Sequence, residues 1–359
     1  DNGDLIVAKI TPCYENGKMA IVEGLAHSPA FGSTEFHVIR PGKKLLGRFL
    51  FHLLQSPAVR VAGKSRMKGA AGQKRVPTDF FKDLKLPCPP IPEQKRIAAI
   101  LDAADALRAK RRETLAQLDT LLQSTFLEMF GDPVINPKGF PVVELSRFYL
   151  NGKEGTKCEP FGSALKKGEI TESGVSVWNM DNIDPSGRMA LPFRMWITEQ
   201  KFRQLEAYAV KDGDIIISRA GTVGKMCVAK TGKTPSIIST NLIRVRLGPD
   251  LLPIYFVSLM TYCKGRVGRL KTGPDGAFTH MSTGILDKLK FPYPPLELQQ
   301  RFATIVQSVE QQKSRLRAHL DELDTLFASL QARAFAGDLQ DHFSRTGPCL
   351  HRPDIKVQL

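Results

Sequence analysis

The sequence predicts an α+β chain in which two globular α/β domains alternate with two long coiled-coil helices. Three observations predict it: an internal repeat, a Pro-rich hinge that closes each repeat, and a heptad of apolar positions after each hinge. The repeat comes first, because self-similarity at a fixed period reports architecture before local propensity does. Leu84 to Leu101 falls on Leu289 to Val306, an offset of 205 residues, with 9 identities in 18 positions. The match resumes at Leu118-Asp119-Thr120-Leu121 on Leu323-Asp324-Thr325-Leu326, and at Phe130-Gly131-Asp132 on Phe335-Ala336-Gly337-Asp338 with one insertion. Upstream it thins to Gly3-Asp4-Leu5-Ile6 on Gly213-Asp214-Ile215-Ile216, Gly17-Lys18-Met19 on Gly224-Lys225-Met226, and Ser33-Thr34 on Ser239-Thr240. Residues from about Phe140 to Asp212 have no counterpart before Asp1. About 70 residues of the first unit are therefore expected to be missing, and the chain to be a fragment of a longer gene product.

The elements follow in order. Asp4 to Ile10 and Glu35 to Ile39 are β-branched-rich or alternating runs bounded by Gly, Thr and Pro, which read as strands of a half-buried sheet, and Gly213 to Ser218 and Asn241 to Arg246 repeat them. Gly-rich loops such as Ala220 to Lys225 lie between, where backbone can approach a ligand closely. Pro89-Pro90-Ile91-Pro92 and Pro294-Pro295 hold the chain extended and then release it into a helix whose first turn accepts Pro and an acid. Positions spaced by 4 and 3 then read Ile97, Leu101, Ala104, Arg108, Arg111, Leu115, Leu118, Leu122, Thr125, Met129 in the first helix. The second reads Phe302, Val306, Val309, Lys313, Leu316, Leu320, Leu323, Phe327, Leu330, Ala334. A seam sustained over about five heptads argues a coiled coil about 50–55 Å long, with an ordinary helix bundle as the alternative. The cations within the seam, Arg108, Arg111 and Lys313, would set its register.

At 359 residues with 42% hydrophobic content, the chain can bury more than one core. Its formal charge of +15 points to a polyanion or an acidic protein as partner. The six cysteines, at 13, 88, 158, 227, 263 and 349, show no C-x-x-C and no zinc-ligand spacing, so reduced cytoplasmic thiols are expected. No apolar run nears the roughly 20 residues that cross a bilayer, and residues 1–20 lack a signal-peptide pattern. A cytoplasmic chain without membrane contact is expected. Catalytic motifs are absent as well: Gly232-Lys233-Thr234 has Cys227 where a phosphate loop needs its leading Gly, and neither H-E-x-x-H nor G-x-S-x-G occurs. Function must come from binding.

Nucleic acid is the polyanion best matched. Arg60, Lys64, Arg66, Lys68, Lys74 and Arg75 run without an intervening acid, and Lys264, Arg266, Arg269 and Lys271 lie at the equivalent level of the second unit. Such clusters suit phosphate contacts, although a solvated basic face is the alternative. Base reading needs donors on loops, for which Lys9, Lys18, Arg219, Thr222, Lys225, Thr240, Asn241 and His280 are candidates.

With Lys85 to Gln94, Arg96-Ile97, their echo in Lys290 to Arg301, and the Gly-Asp strand openings in place, residues 1–338 resemble the specificity (S) subunits of type I restriction-modification systems. The resemblance implies target-recognition domains at 1–90 and 133–292, antiparallel conserved helices at 91–132 and 293–338 that set a DNA spacer, and a tail at 339–359. It implies a bipartite asymmetric site on double-stranded DNA, one half read by each domain. It implies two methyltransferase (M) subunits that carry S-adenosylmethionine, restriction/translocase (R) subunits, and no cofactor in this chain. Pro89, Pro90, Gln94, Arg96, Pro294, Pro295, Gln299 and Arg301, in the conserved regions, become the candidate partner contacts. A truncated recognition tail of a fused methylation polypeptide, or a coiled-coil adaptor with basic ends, are the competing readings.

Overall fold

A computed structural model of the chain describes residues 1–27, 30–70, 72–150, 154–158, 165–219, 224–232, 234–262, 281–337, 350–351 and 355–358. The chain divides into two units, residues 1–116 with 314–359, and residues 117–313. The division falls inside the two long helices and not at the hinges that the sequence reading used as borders. Each helix half packs on the globular part beside it.

In the first unit β1 (Leu5–Ala8), β2 (Met19–Ile21) and β3 (Phe36–Pro41) form an antiparallel sheet with β1 in the middle. The helices α1 (Gly47–Gln55), α2 (Pro57–Ser65) and α3 (Thr78–Asp83) follow. Pro57 at the first helical position and the Ser56 hydroxyl, which accepts the Val59 N–H, start α2. Short β4 (Leu86–Pro87) leads through the prolines into the 40-residue α4 (Ile91–Phe130), about 60 Å long. The core joins Leu5, Val7 and Ile39 of the sheet, Phe49, Leu50 and Leu53 of α1, and Phe81 to Ile97 and Leu101 of α4.

In the second unit β5 (Val142–Glu144), β6 (Thr156–Cys158), β7 (Val175–Trp178) and β8 (Trp196–Ile197) precede the short α5 (Glu199–Gln204). Strands β9 (Ile215–Ser218), β10 (Met226–Val228), β11 (Ser236–Ile238) and β12 (Leu242–Val245) lead to α6 (Pro253–Tyr262), α7 (Thr283–Asp287), β13 (Lys290–Pro292) and the 41-residue α8 (Leu296–Ala336). The sheet β10-β9-β12-β6 repeats the first unit's sheet, and a second sheet, β11-β7-β8, has no counterpart among the described residues of that unit. Every residue of β7, β9, β11 and β12 is buried, which is why these runs are mostly apolar or β-branched, with Ser176, Ser218, Ser236 and Arg244 as the buried polar members.

Two further strands come from the end of the chain. β14 (Leu350–His351) pairs with β4, and β15 (Ile355–Gln358) adds to β3. This corrects the reading of 339–359 as a tail. The β14–β4 pairing matches β5–β13 of the second unit, and β15–β3 matches β6–β12. An edge strand leaves a row of N–H and C=O groups to be satisfied, and here the C-terminal segment satisfies them.

Every predicted seam position of the two helices is buried or half-buried. Within the first unit Arg108 bonds Asp324 (2.5 Å), and within the second Lys313 bonds Asp119. Phe302 packs edge-on to Phe126 (5.4 Å), so the pairing is antiparallel. Arg108 and Lys313 are repeat equivalents, as are Asp119 and Asp324, so each helix gives one cation to the other's acid. That exchange gives the recurrent Leu-Asp-Thr-Leu a physical reason.

Candidate nucleic-acid interface

The candidate side chains gather where the central strand of each sheet ends. In the second unit β9 stops at Ser218, and the Arg219 N–H donates to the Asn241 carbonyl (2.8 Å) while its own carbonyl accepts from the Met281 N–H (3.0 Å). The Ser218 N–H donates to the Lys225 carbonyl (2.8 Å), and the Ser218 hydroxyl accepts the Lys225 N–H (3.0 Å). Asn241 turns the chain into β12 at φ +69°, a left-handed conformation that Asn tolerates better than most residues. Arg219 and Lys225 are half-buried there, and Thr240 and Asn241 are exposed. Thr222, Arg266, Arg269, Lys271 and His280 lie outside the described residues.

The first unit repeats the three backbone bonds of this construction, with Ala8 in place of Ser218 and so without the hydroxyl bond. The Lys9 N–H donates to the Glu35 carbonyl (3.0 Å), the Val76 N–H to the Lys9 carbonyl (2.9 Å), and the Ala8 N–H to the Lys18 carbonyl (3.0 Å). Lys9 thus stands where Arg219 does, Lys18 where Lys225 does, and Glu35 where Asn241 does. The basic segment folds back over this end, since the Thr11 N–H donates to the Lys74 carbonyl (2.9 Å) and Lys68 and Arg75 exchange both backbone bonds (2.9 and 2.8 Å). Lys18, Arg66, Lys68 and Lys74 are exposed and Lys9 is half-buried. Lys64, also exposed, pairs with Glu15 at 2.9 Å.

Arg75 is not an open phosphate donor but the partner of Glu35, with Nε and Nη2 on the carboxylate at 2.8–3.2 Å and Nη1 donating to the Gln73 carbonyl (3.1 Å). The Arg75 guanidinium holds the Glu35 carboxyl below its ordinary range against the desolvation that opposes it, and Lys9 adds to the effect. Beneath the pair, buried His37 places Nε2 2.8 Å from the Val76 carbonyl oxygen, and burial lowers its pKa. Cation donors in a fixed frame suit phosphates and base edges. Among the described residues no group of three or more metal-ligating side chains occurs.

One device, repeated in both units, escaped the sequence reading. Asp4 accepts from Arg40 (2.7 and 2.6 Å), and Asp214 accepts a fork from Arg246 (2.8 Å for both bonds). The signal was present, as a Gly-Asp strand opening followed by an Arg at the end of the partner strand in one unit and just past it in the other. The Arg40 hydrogen bonds hold the Asp4 carboxyl below its ordinary range, with desolvation opposing. A depressed carboxyl contributes stability above its unfolded pKa, near pH 4. That contribution is lost as pH falls through the lower folded value. Urea midpoints measured between pH 7 and pH 3 should therefore fall less steeply in Asp4→Asn than in the parent chain, and equal slopes would contradict the assignment.

Gln94 and Gln299 are corrected from partner contacts to internal locks. Both are fully buried. Their amide oxygens accept the Leu46 N–H (2.7 Å) and the Leu252 N–H (2.9 Å), and their amide nitrogens donate to the Pro89 (2.8 Å) and Pro294 (3.0 Å) carbonyls. A buried amide with both ends satisfied ties each hinge to the globular part, which accounts for the repeated Gln. Pro294 is also buried, Pro89 is half-buried, and Arg96 is half-buried and paired with Glu93 at 2.8 Å. Pro90, Pro295 and Arg301 are the candidates left exposed.

The family model described as the type I restriction modification DNA specificity domain matches residues 1–118 and 161–323. The specificity subunit of the type I restriction enzyme EcoAI of Escherichia coli is 48% identical over 97 residues, which are 27% of this chain and 16% of that relative. The MjaVIII specificity subunit of Methanocaldococcus jannaschii is 24% identical over 259 residues, 69% of this chain and 60% of its own length. This chain thus spans less than two thirds of either relative. Among solved structures, a chain from a type I R-M system covers 94% of this chain and 83% of itself at a TM-score of 0.54 and 22% identity. An S subunit from M. genitalium covers 93% and 83% at a TM-score of 0.55 and 16% identity. These two likenesses concern the fold.

Proposed function

The chain belongs to the type I restriction modification DNA specificity family, and from that premise we propose that it is the DNA-reading, non-catalytic subunit of such a complex. One observation carries the proposal: both units present cations and hydrogen-bonding side chains at the same structural position, the end of the central strand. Two equivalent readers on one chain suit a DNA site in two parts. In this reading Arg219, Lys225, Thr240 and Asn241 contact one half-site, and Lys9 and Lys18 the other. Lys68 and Lys74 hold phosphates. The paired helices set the unspecified spacer, the methyltransferase subunits bring S-adenosylmethionine to the conserved regions, and the restriction subunits join that core. No helix among the described residues is long and apolar enough to cross a membrane.

The test is an adenine-methylation profile of cells making this chain with its modification subunit, against cells making the modification subunit alone. An asymmetric two-part motif that appears only with this chain supports the reading, a symmetric motif restricts it to one reading unit, and an unchanged profile overturns it. Replacing Lys68 and Lys74 by Ala should weaken binding to every duplex alike. It should also flatten the plot of log affinity against log salt by about 0.9 for each phosphate that these lysines neutralise. Anisotropy titrations between 50 and 200 mM salt check this, and an unaltered slope would leave those lysines as a solvated face.

A further inference from the structure

We propose that Glu35 and Arg75 act as one specificity-determining unit that reads a single G·C pair from the major groove, an inference that rests on the DNA-recognition reading above. Neither residue's position is explained by packing alone. Glu35 occupies the frame position that Asn241 holds in the second unit, at the open end of the central strand, and its carboxylate is set against Arg75 and Lys9 there. An acid on a surface meant only for phosphates would weaken binding. An acid that accepts a base amino group would not, because cytosine N4 is a donor.

The geometry supplies the other half of the pattern. Of the five guanidinium N–H bonds of Arg75, its contacts with Glu35 and the Gln73 carbonyl use three. One N–H on each terminal nitrogen is left over. Those two donors match guanine O6 and N7, while the outer lone pairs of Glu35 match cytosine N4. A G·C pair displays that set of two acceptors and one donor on its major-groove edge, and an A·T pair displays a different one. The carboxylate also holds the guanidinium plane before DNA arrives, so ordering of the long side chain is not required at the encounter. Side-chain exposures of 37% for Glu35 and 41% for Arg75 leave both accessible.

The experiment is selection of binding sites by the full chain from a pool of random-sequence duplex DNA, followed by sequencing, for the parent, Glu35→Gln and Arg75→Lys. The parent should enrich a motif containing a position restricted to G·C. Both variants should enrich the same motif with that one position relaxed, its preference falling about 10- to 100-fold. The other positions and the salt slope should stay as they were. Replacing that guanine by 7-deazaguanine should weaken the parent and leave Arg75→Lys unaffected, a readout that a purely structural ion pair would not move. Retention of every position in both variants would overturn the inference and leave the recognition reading intact. Loss of all binding in both variants, with their thermal midpoints unchanged, would also overturn it by assigning the pair to general affinity. No enriched motif in the parent would overturn the recognition reading, and this inference with it.

Discussion

Lys313→Ala should destabilise the second unit by about 2–4 kcal/mol, read as a shift in the denaturant midpoint at constant m-value. Lys313 lies on α8 with its side chain 1% exposed, its ammonium bonded to Asp119 and to Glu310 at 2.9 Å. Arg188 stands 3.6 Å from both acids. Removing the cation leaves two carboxylates and a cavity where the stem was, and both losses count. Asp119 is 49% exposed and Arg188 remains, so the loss should stay below that of a wholly enclosed charge. Lys313→Met keeps the stem and discards the charge, and should recover about half. Equal losses in the two variants would place the whole effect on the ammonium, and no loss in Lys313→Ala would contradict the account. Tyr262 reports on the same cluster, since burial, then the charges of Asp119 and Glu310, push its pKa up to about 12.

Asp214→Ala should cost about 3–5 kcal/mol, because it strands the Arg246 guanidinium inside the second unit. Asp214 is 1% exposed and the Arg246 side chain 10%, and Glu154 at 3.2 Å is a more exposed, secondary partner. The equivalent change in the first unit, Asp4→Ala, should cost only about 1 kcal/mol, since the Arg40 side chain is 38% exposed and water can take the place of the carboxylate. Denaturant titrations of the two variants side by side make the comparison internal. Equal losses would show that exposure does not govern these pairs. Replacing Asp214 and Arg246 together by Leu and Met should restore much of the stability, because no buried charge is then left alone.

Whatever is periodic or local in this chain was legible from its residues in order. The 205-residue repeat, the Pro-rich hinges and the heptad seam are spacings along the chain, and every seam residue is buried or half-buried. The repeated Gln94 and Gln299 were equally legible as positions, but their role was not, because a partner contact and an internal lock leave the same mark on one sequence. The rest depended on how the chain packs. Residues 57–65 form α2 although their Gly and Ala content argues for no element strongly, since the capped start and packing on α1 outweigh propensity. β14 and β15 are too short to show a period of two, and they exist because β4 and β3 offer them an edge. The meeting of Lys9, Glu35 and Arg75 was likewise hidden. Pairing between strands joins residues tens of positions apart, and its register depends on which faces become buried, a property of the assembled sheet and not of any one segment.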